Sequence, residues 1–149
     1  MPHDVFISYS TRDSATAEAV CAKLESREIK CWIAPRDISP GTSWSAAIID
    51  AIEGAHLMVV LFSSHANLSE DVKSEVERAR GKKKIILPVL IEDVQMTRDF
   101  EYFFGTSQWL DATARPFESH LDQIANSVRL WLIRSETVRE FRVRPVNSG

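Results

Sequence analysis

The chain has 149 residues, 44% of them hydrophobic, and a formal net charge of −3. A single domain of this length buries roughly 70% of its unfolded surface, enough for a real core, and slight acidity gives no overall pull toward nucleic acid or anionic membrane. No apolar run approaches the ~20 residues of a membrane helix, and the opening MPHDVFISYS lacks a basic segment followed by a long apolar one, so no secretory leader is expected.

Taken in chain order, strand-like and helix-like patterns alternate. DVFISY, Asp4 to Tyr9, reads as a first strand. Ala17, Val20, Cys21 and Leu24 then recur at helical spacing over about Ser14 to Arg27. IKCWI, Ile29 to Ile33, is a second strand, followed by the loop APRDISPG, in which Asp37 suits an Asx turn. Trp44, Ile48, Ile49 and Ile52 mark a second helix, with Gly54 placed to end it. HLMVVLF, His56 to Phe62, is apolar enough for a strand covered on both faces.

The segment LSEDVKSEVERA follows. Leu68, Val72, Val76 and Ala79 fall on one helical face, Ser69 is placed to cap the start, and Glu70 and Asp71 occupy the first turn, where the helix dipole favours negative charge. Arg78 to Lys84 reads as a solvated basic end. Glu75 lies only about 65° from the middle of the apolar stripe. Two readings of it stand: a partner for Arg78 or Arg80 on its own helix, or part of a site.

KIILPVLI, Lys84 to Ile91, is a fourth strand. Pro88 cannot donate to a ladder, so a bulge or strand end suits it better than a regular position. Residues 92–115 show little pattern beyond QWLD, Gln108 to Asp111, a short fifth strand. Phe117, Leu121, Ile124, Val128, Trp131 and Leu132 then give a final helix of about four turns. From Arg134 the pattern fades, which divides the chain into a domain, 1–133, and a tail or start of a linker, 134–149.

Cys21 and Cys31 fall in helix and strand positions rather than in a CxxC, which reads as structural thiols of a reducing cytoplasm. His3, His56, His65 and His120 have no metal-ligand spacing, and no metal is expected. The alternation predicts an α/β fold, an open and largely parallel sheet with helices on both faces. Ligands of such folds gather at the carboxyl ends of the strands, here SYSTRD, APRDISPGTSW and SSHANLS. GxGxxG, GxxxxGK[ST] and GxSxG are all missing, so neither a nucleotide cradle of the usual kinds nor a nucleophile elbow is supported. A phospho-accepting receiver would want acidic residues where strands one and three end in SYS and FSS.

DVFISYSTRD, WIAPRDISPGTSW, LMVVLFSSHANLSEDVKSEVERA and KIILPVLI, in that order, resemble the motifs of a Toll/interleukin-1 receptor (TIR) domain of the bacterial type, over Asp4 to about Leu132. The resemblance implies a flavodoxin-like, five-stranded parallel sheet. It implies that the loop from Arg36 to Gly41 governs self-association with other TIR domains and access to the site. SxxVxxE, Ser69 to Glu75, is similar to the segment carrying the catalytic glutamate of TIR enzymes that cleave NAD, which puts that role on Glu75. NAD is then a substrate and no cofactor is required. Ser10, Thr11 and Ser39 fall near the dinucleotide by the same resemblance.

By charge, Arg12 and Arg36 can neutralise its pyrophosphate, while Arg12 can equally pair with Asp13 or Glu18. Trp32 and Trp44 are either packing aromatics or stacking surfaces for adenine, and Trp44, beside the second loop, joins the substrate-binding set. Many family enzymes have a Trp four residues before the glutamate, where this chain has Asp71. The activity implied is an NAD glycohydrolase or cyclase, giving nicotinamide and ADP-ribose or its cyclic form, in bacterial antiphage defence or signalling and switched on by self-association. A scaffold that binds other TIR domains without turnover is the alternative. Neither nucleic acid nor membrane is an expected partner.

Overall fold

The computed structural model describes residues 3–105 and 107–143. Strands β1 (Val5–Ser8), β2 (Cys31–Trp32), β3 (Leu57–Phe62), β4 (Ile85–Leu90) and β5 (Leu110–Asp111) form one sheet in the order β2-β1-β3-β4-β5, every pair parallel. This is the flavodoxin-like order of a doubly wound sheet. All six residues of β3 are buried, as a strand covered on both faces requires.

Alternate residues of the strands feed two cores. Val5, Ile7, Val59, Leu61, Leu87 and Val89 pack with α1 (Ser14–Ser26) and α6 (Leu121–Val143) through Ala17, Val20, Leu24, Ile124 and Val128. Phe6, Met58, Val60 and Phe62 pack on the opposite face with α2 (Trp44–Gly54), α4 (Glu70–Gly81) and α5 (Arg98–Phe104) through Ile52, Val72, Val76, Phe100 and Phe104. The side-chain period of two in a strand divides the residues this way. A single turn, α3 (Ser64–Asn67), leads from β3 into α4.

Several expectations change. Pro88 sits in regular register opposite Val60, with no bulge. The N–H of Ile85 donates to His56 and that of Ile91 to Phe62. Odd-numbered positions therefore face β3, and the Pro88 nitrogen faces the β5 side, where pairing starts only at Val89. No ladder bond is lost. Leu68 is 79% exposed and precedes α4, so the buried stripe is Val72, Val76 and Ala79.

Within 92–115 the chain forms α5, capped by the Thr97 side chain. Its Phe100 and Phe104 meet the Phe62 ring edge-on at 5.1 and 5.5 Å. The last helix follows a 3-10 turn at Phe117–His120 and continues through Arg134 to Val143, past the point where the sequence pattern fades. Of the expected tail, 144–149 lie outside the described residues.

Candidate active site

The carboxyl rim is fixed by a series of serine caps. The Ser63 hydroxyl accepts from the Ala66 N–H at 3.1 Å to start α3, and donates to Asp13 at 2.5 Å, joining the first loop to the end of β3. Ser69 accepts from the Val72 N–H at 3.2 Å and starts α4, as its place in the sequence predicts. With Val72 and Val76 both fully buried, α4 has one rotational setting, and Glu75 is turned inward toward β1.

There the Ser8 hydroxyl donates to Glu75 Oε1 at 2.8 Å. Ser8 is fully buried at the end of β1, so the carboxyl that reaches it has lost most of its water. Burial pushes the Glu75 pKa up to about 7; the Ser8 hydrogen bond opposes the rise and the Asp71 charge adds to it. Tyr9 beside it is also raised, by burial first and then by Glu18 and Glu75, and its hydroxyl donates to the Ala34 carbonyl.

Neither helical arginine partners Glu75. Arg78 lies 3.7 Å and Lys82 3.4 Å from Glu53 of α2, and the Arg80 guanidinium lies 4.3 Å over the Tyr102 ring. Lys84 donates to the Glu53 carbonyl at 2.7 Å. The basic segment therefore straps α4 to α2 and is only partly the solvated end that its charge implies.

Between α2 and α4 lies a cleft of about 660 Å³, with Ser45, Ile48, Ile49 and Ile52 on one wall and Asp71, Glu75, Arg78 and Lys82 among the residues of the other. A larger hollow of about 800 Å³ runs along the β2 edge past Glu28, Lys30 and Trp32, without Glu75. Trp32 there stacks on Phe6 at 5.2 Å, the packing alternative for that residue.

The other candidates are placed as follows. The Ser10 hydroxyl accepts from the Arg12 N–H at 3.4 Å and caps the 3-10 turn Thr11–Asp13. Thr11 and Arg12 are exposed, and Arg12 forms no ion pair with a described residue; Asp13 is bonded to Ser63 instead. Ser39 is exposed, its carbonyl accepting from Thr42. Trp44 opens α2 with 58% of its surface exposed, next to Ser45 of the cleft wall.

Arg36 is held firmly. Its guanidinium donates to both Glu25 oxygens at 2.8 and 2.9 Å, to Asp37 and to the Cys31 carbonyl. Asp37 also accepts from the Ile33 N–H at 2.9 Å, four residues back and not two residues on, so it closes the base of the loop without the expected Asx turn. Cys21 and Cys31 are buried free thiols. Ser10, Thr11, Arg12, Arg36, Ser39 and Trp44 do not line the cleft that contains Glu75.

Ser8 was not legible as a site residue, because its partner is 67 residues away in sequence. The one signal is a hydroxyl ending a strand that is otherwise fully apolar. Among the described residues no group of three or more His, Cys, Asp or Glu could hold a metal, and no helix is long and apolar enough to cross a membrane.

A parallel sheet of this order, with helices on both faces, defines a doubly wound α/β domain. The profile of the TIR domain family matches residues 5–125, and the chain belongs to that family. Similar solved structures include the TIR domain of the Toll-related receptor TRR-2 of Hydra magnipapillata, with a TM-score of 0.70, 23% identity, and 85% of this chain and 98% of that one covered. A TIR-STING receptor from C. gigas, in complex with 2',3'-cGAMP, gives a TM-score of 0.70 at 26% identity; 86% of this chain aligns and spans 40% of that receptor. The RPS4 and RRS1 TIR domain heterodimer gives 0.65 at 18% identity, with coverage of 86% and 96%. No curated protein sequence matches the chain.

Proposed function

We propose that this chain is a TIR-domain NAD glycohydrolase in which Glu75 is the catalytic carboxylate. The observation that carries the reading is a largely desolvated glutamate, fixed at 2.8 Å by Ser8 of the β1 carboxyl end, on the wall of the cleft between α2 and α4. Breaking the bond between nicotinamide and ribose builds positive charge on the sugar, an oxocarbenium-like transition state. The pyridinium departs as a neutral ring, taking the bonding electrons with it, so no general acid is needed. A fixed anion beside the ribose stabilises the charge as it develops.

Water then adds to the ribosyl cation and releases a proton, giving ADP-ribose; attack by an adenine nitrogen gives the cyclic form instead. The Glu75 pKa, pushed up to about 7 by burial, is drawn down when the cationic nicotinamide ring comes beside it, which favours the ionised acid in the complex.

Ser10, Thr11 and Arg12 of the first loop, Arg36 and Ser39 of the second, and Trp44 at the start of α2 belong to this proposal as substrate-side residues. NAD is the substrate and no cofactor is used. The bacterial type that the motifs resemble, a cytoplasmic setting, a role in antiphage defence or signalling, and activation by association through the 36–41 loop are parts of the same reading. That TIR domains pair in the RPS4 and RRS1 heterodimer supports association with other TIR domains in general.

One observation favours a second reading. Asp71 lines the cleft where many family enzymes carry a Trp, and a scaffold without turnover would tolerate that. The test is to crowd the protein with NAD and follow nicotinamide release. Release by wild type and its loss in Glu75→Ala support the enzyme; silence of both under enforced association supports the scaffold, and equal release by both removes Glu75 from the role.

A further inference from the structure

We propose that the cleft between α2 and α4 seats the dinucleotide lengthwise, with Arg78 and Lys82 holding its diphosphate and Asp71 facing its charged ring. This rests on the reading of the chain as an NAD enzyme, adds the orientation of the substrate, and gives the diphosphate to Arg78 and Lys82 in place of Arg12 and Arg36, which lie outside the cleft. Asp71, Glu75, Arg78 and Lys82 follow one another at four, three and four residues, which is a single stripe on a helix, and all four line the cleft. At 1.5 Å per residue, Asp71 lies about 6 Å from Glu75 toward the rim, and Arg78 and Lys82 about 4.5 and 10 Å beyond it on the other side. The charges read negative, negative, positive, positive.

An oxidised nicotinamide dinucleotide presents the complementary order: a cationic ring, the scissile carbon, one ribose, then two phosphates. Ile48, Ile49 and Ile52 supply an apolar opposite wall for flat rings.

The availability of the cations points the same way. Arg36, the arginine of the second loop, has its guanidinium shared among Glu25, Asp37 and a backbone carbonyl, and it lies outside the cleft. Arg78 and Lys82 meet Glu53 at only 3.7 and 3.4 Å, with 40% and 50% of their side chains exposed. Such long, watery pairs are weak and exchange readily. A phosphate offers the Arg78 fork a better geometry.

The experiment is calorimetry with ADP-ribose, which has the diphosphate but no nicotinamide ring, and with adenosine, which has neither. Arg78→Gln and Lys82→Gln should each weaken ADP-ribose about tenfold without moving adenosine. ADP-ribose binding that is unchanged in both variants, or no tighter than adenosine in wild type, overturns the clamp. In a Glu75→Gln background that keeps NAD whole, Asp71→Asn should narrow the affinity gap between NAD and its reduced, neutral-ring form; an unaltered gap overturns the role of Asp71. A protein that binds ADP-ribose through Arg78 yet never releases nicotinamide sinks the enzyme and keeps the seat. Nicotinamide release with ADP-ribose affinity indifferent to both substitutions does the reverse.

Discussion

Ser8 at the end of β1 donates to Glu75 in the second turn of α4 at 2.8 Å, the polar link between the central sheet and the acid of the cleft. One hydroxyl does not repay the full cost of desolvating a carboxylate, and the remainder shows as a pKa pushed up to about 7. The fold carries this cost, and its size and sign can be measured.

The first prediction concerns stability. The folded protein holds the Glu75 proton to higher pH than the unfolded chain, whose glutamate titrates near 4.5. Stability therefore falls as pH rises from about 4.5 to about 7, by up to about 3 kcal/mol. Glu75→Gln, whose amide oxygen can still accept from Ser8, should be more stable than wild type at pH 8 and equal to it at pH 4. Urea titrations at both pH values check this; equal stability at pH 8 would show that the carboxylate is not strained by burial.

The second prediction is a pair of opposite shifts in activity. The anion is the working form, so kcat/KM for NAD should rise with pH through the Glu75 titration. Ser8→Ala removes the donor that lowers the Glu75 pKa and should move the inflection to higher pH, with about 1 kcal/mol of stability lost. Asp71→Asn removes a charge that raises it and should move the inflection to lower pH. Shifts of the same sign in both variants would contradict the arrangement.

A third prediction separates loop support from ligand binding at Arg36. Glu25 and Arg36 meet through two hydrogen bonds, and the arginine depresses the Glu25 pKa. The pair is partly exposed, so its loss should cost about 1 kcal/mol or less in global stability. Arg36→Ala and Glu25→Ala should nonetheless both speed amide exchange over residues 33–41. If only Arg36→Ala raises KM for NAD, the arginine also meets the substrate.

Trp44 yields the fourth. With 58% of its surface exposed, Trp44→Ser should leave the thermal midpoint within about 2 °C of wild type. Any fall in nicotinamide release then reflects ligand or partner contact and not folding. A large drop in the midpoint would mean that the indole packs in a way its exposure does not suggest.

The parts of the fold legible in the sequence are those where one period dominates. Ala17, Val20, Cys21 and Leu24 are all buried on α1, and the HLMVVLF run is the fully buried central strand. Helix α5 was hidden because it has only seven residues and its core contribution is a cluster of Phe100, Phe103 and Phe104, whose spacing also suits an aromatic loop. Pro88 takes a regular strand position because its nitrogen faces the side where β5 has not yet begun to pair, which the sequence alone does not show.

At the site, helical geometry placed Glu75 near the buried face. It could not show that Ser8 waits there, nor that Arg78 reaches across to Glu53 while Arg36 folds back on Glu25. Those facts depend on tertiary neighbours distant in sequence.

The position of Pro88 bears on how copies of this domain can meet. A sheet edge recruits other chains through its unpaired N–H groups. Here both outer strands are two residues long, and of the two β4 positions that face the β5 side before its pairing begins, Ile86 and Pro88, the second is a proline with no N–H to offer. A strand added along this side would find half of the ladder donors it needs on β4, which disfavours assembly there.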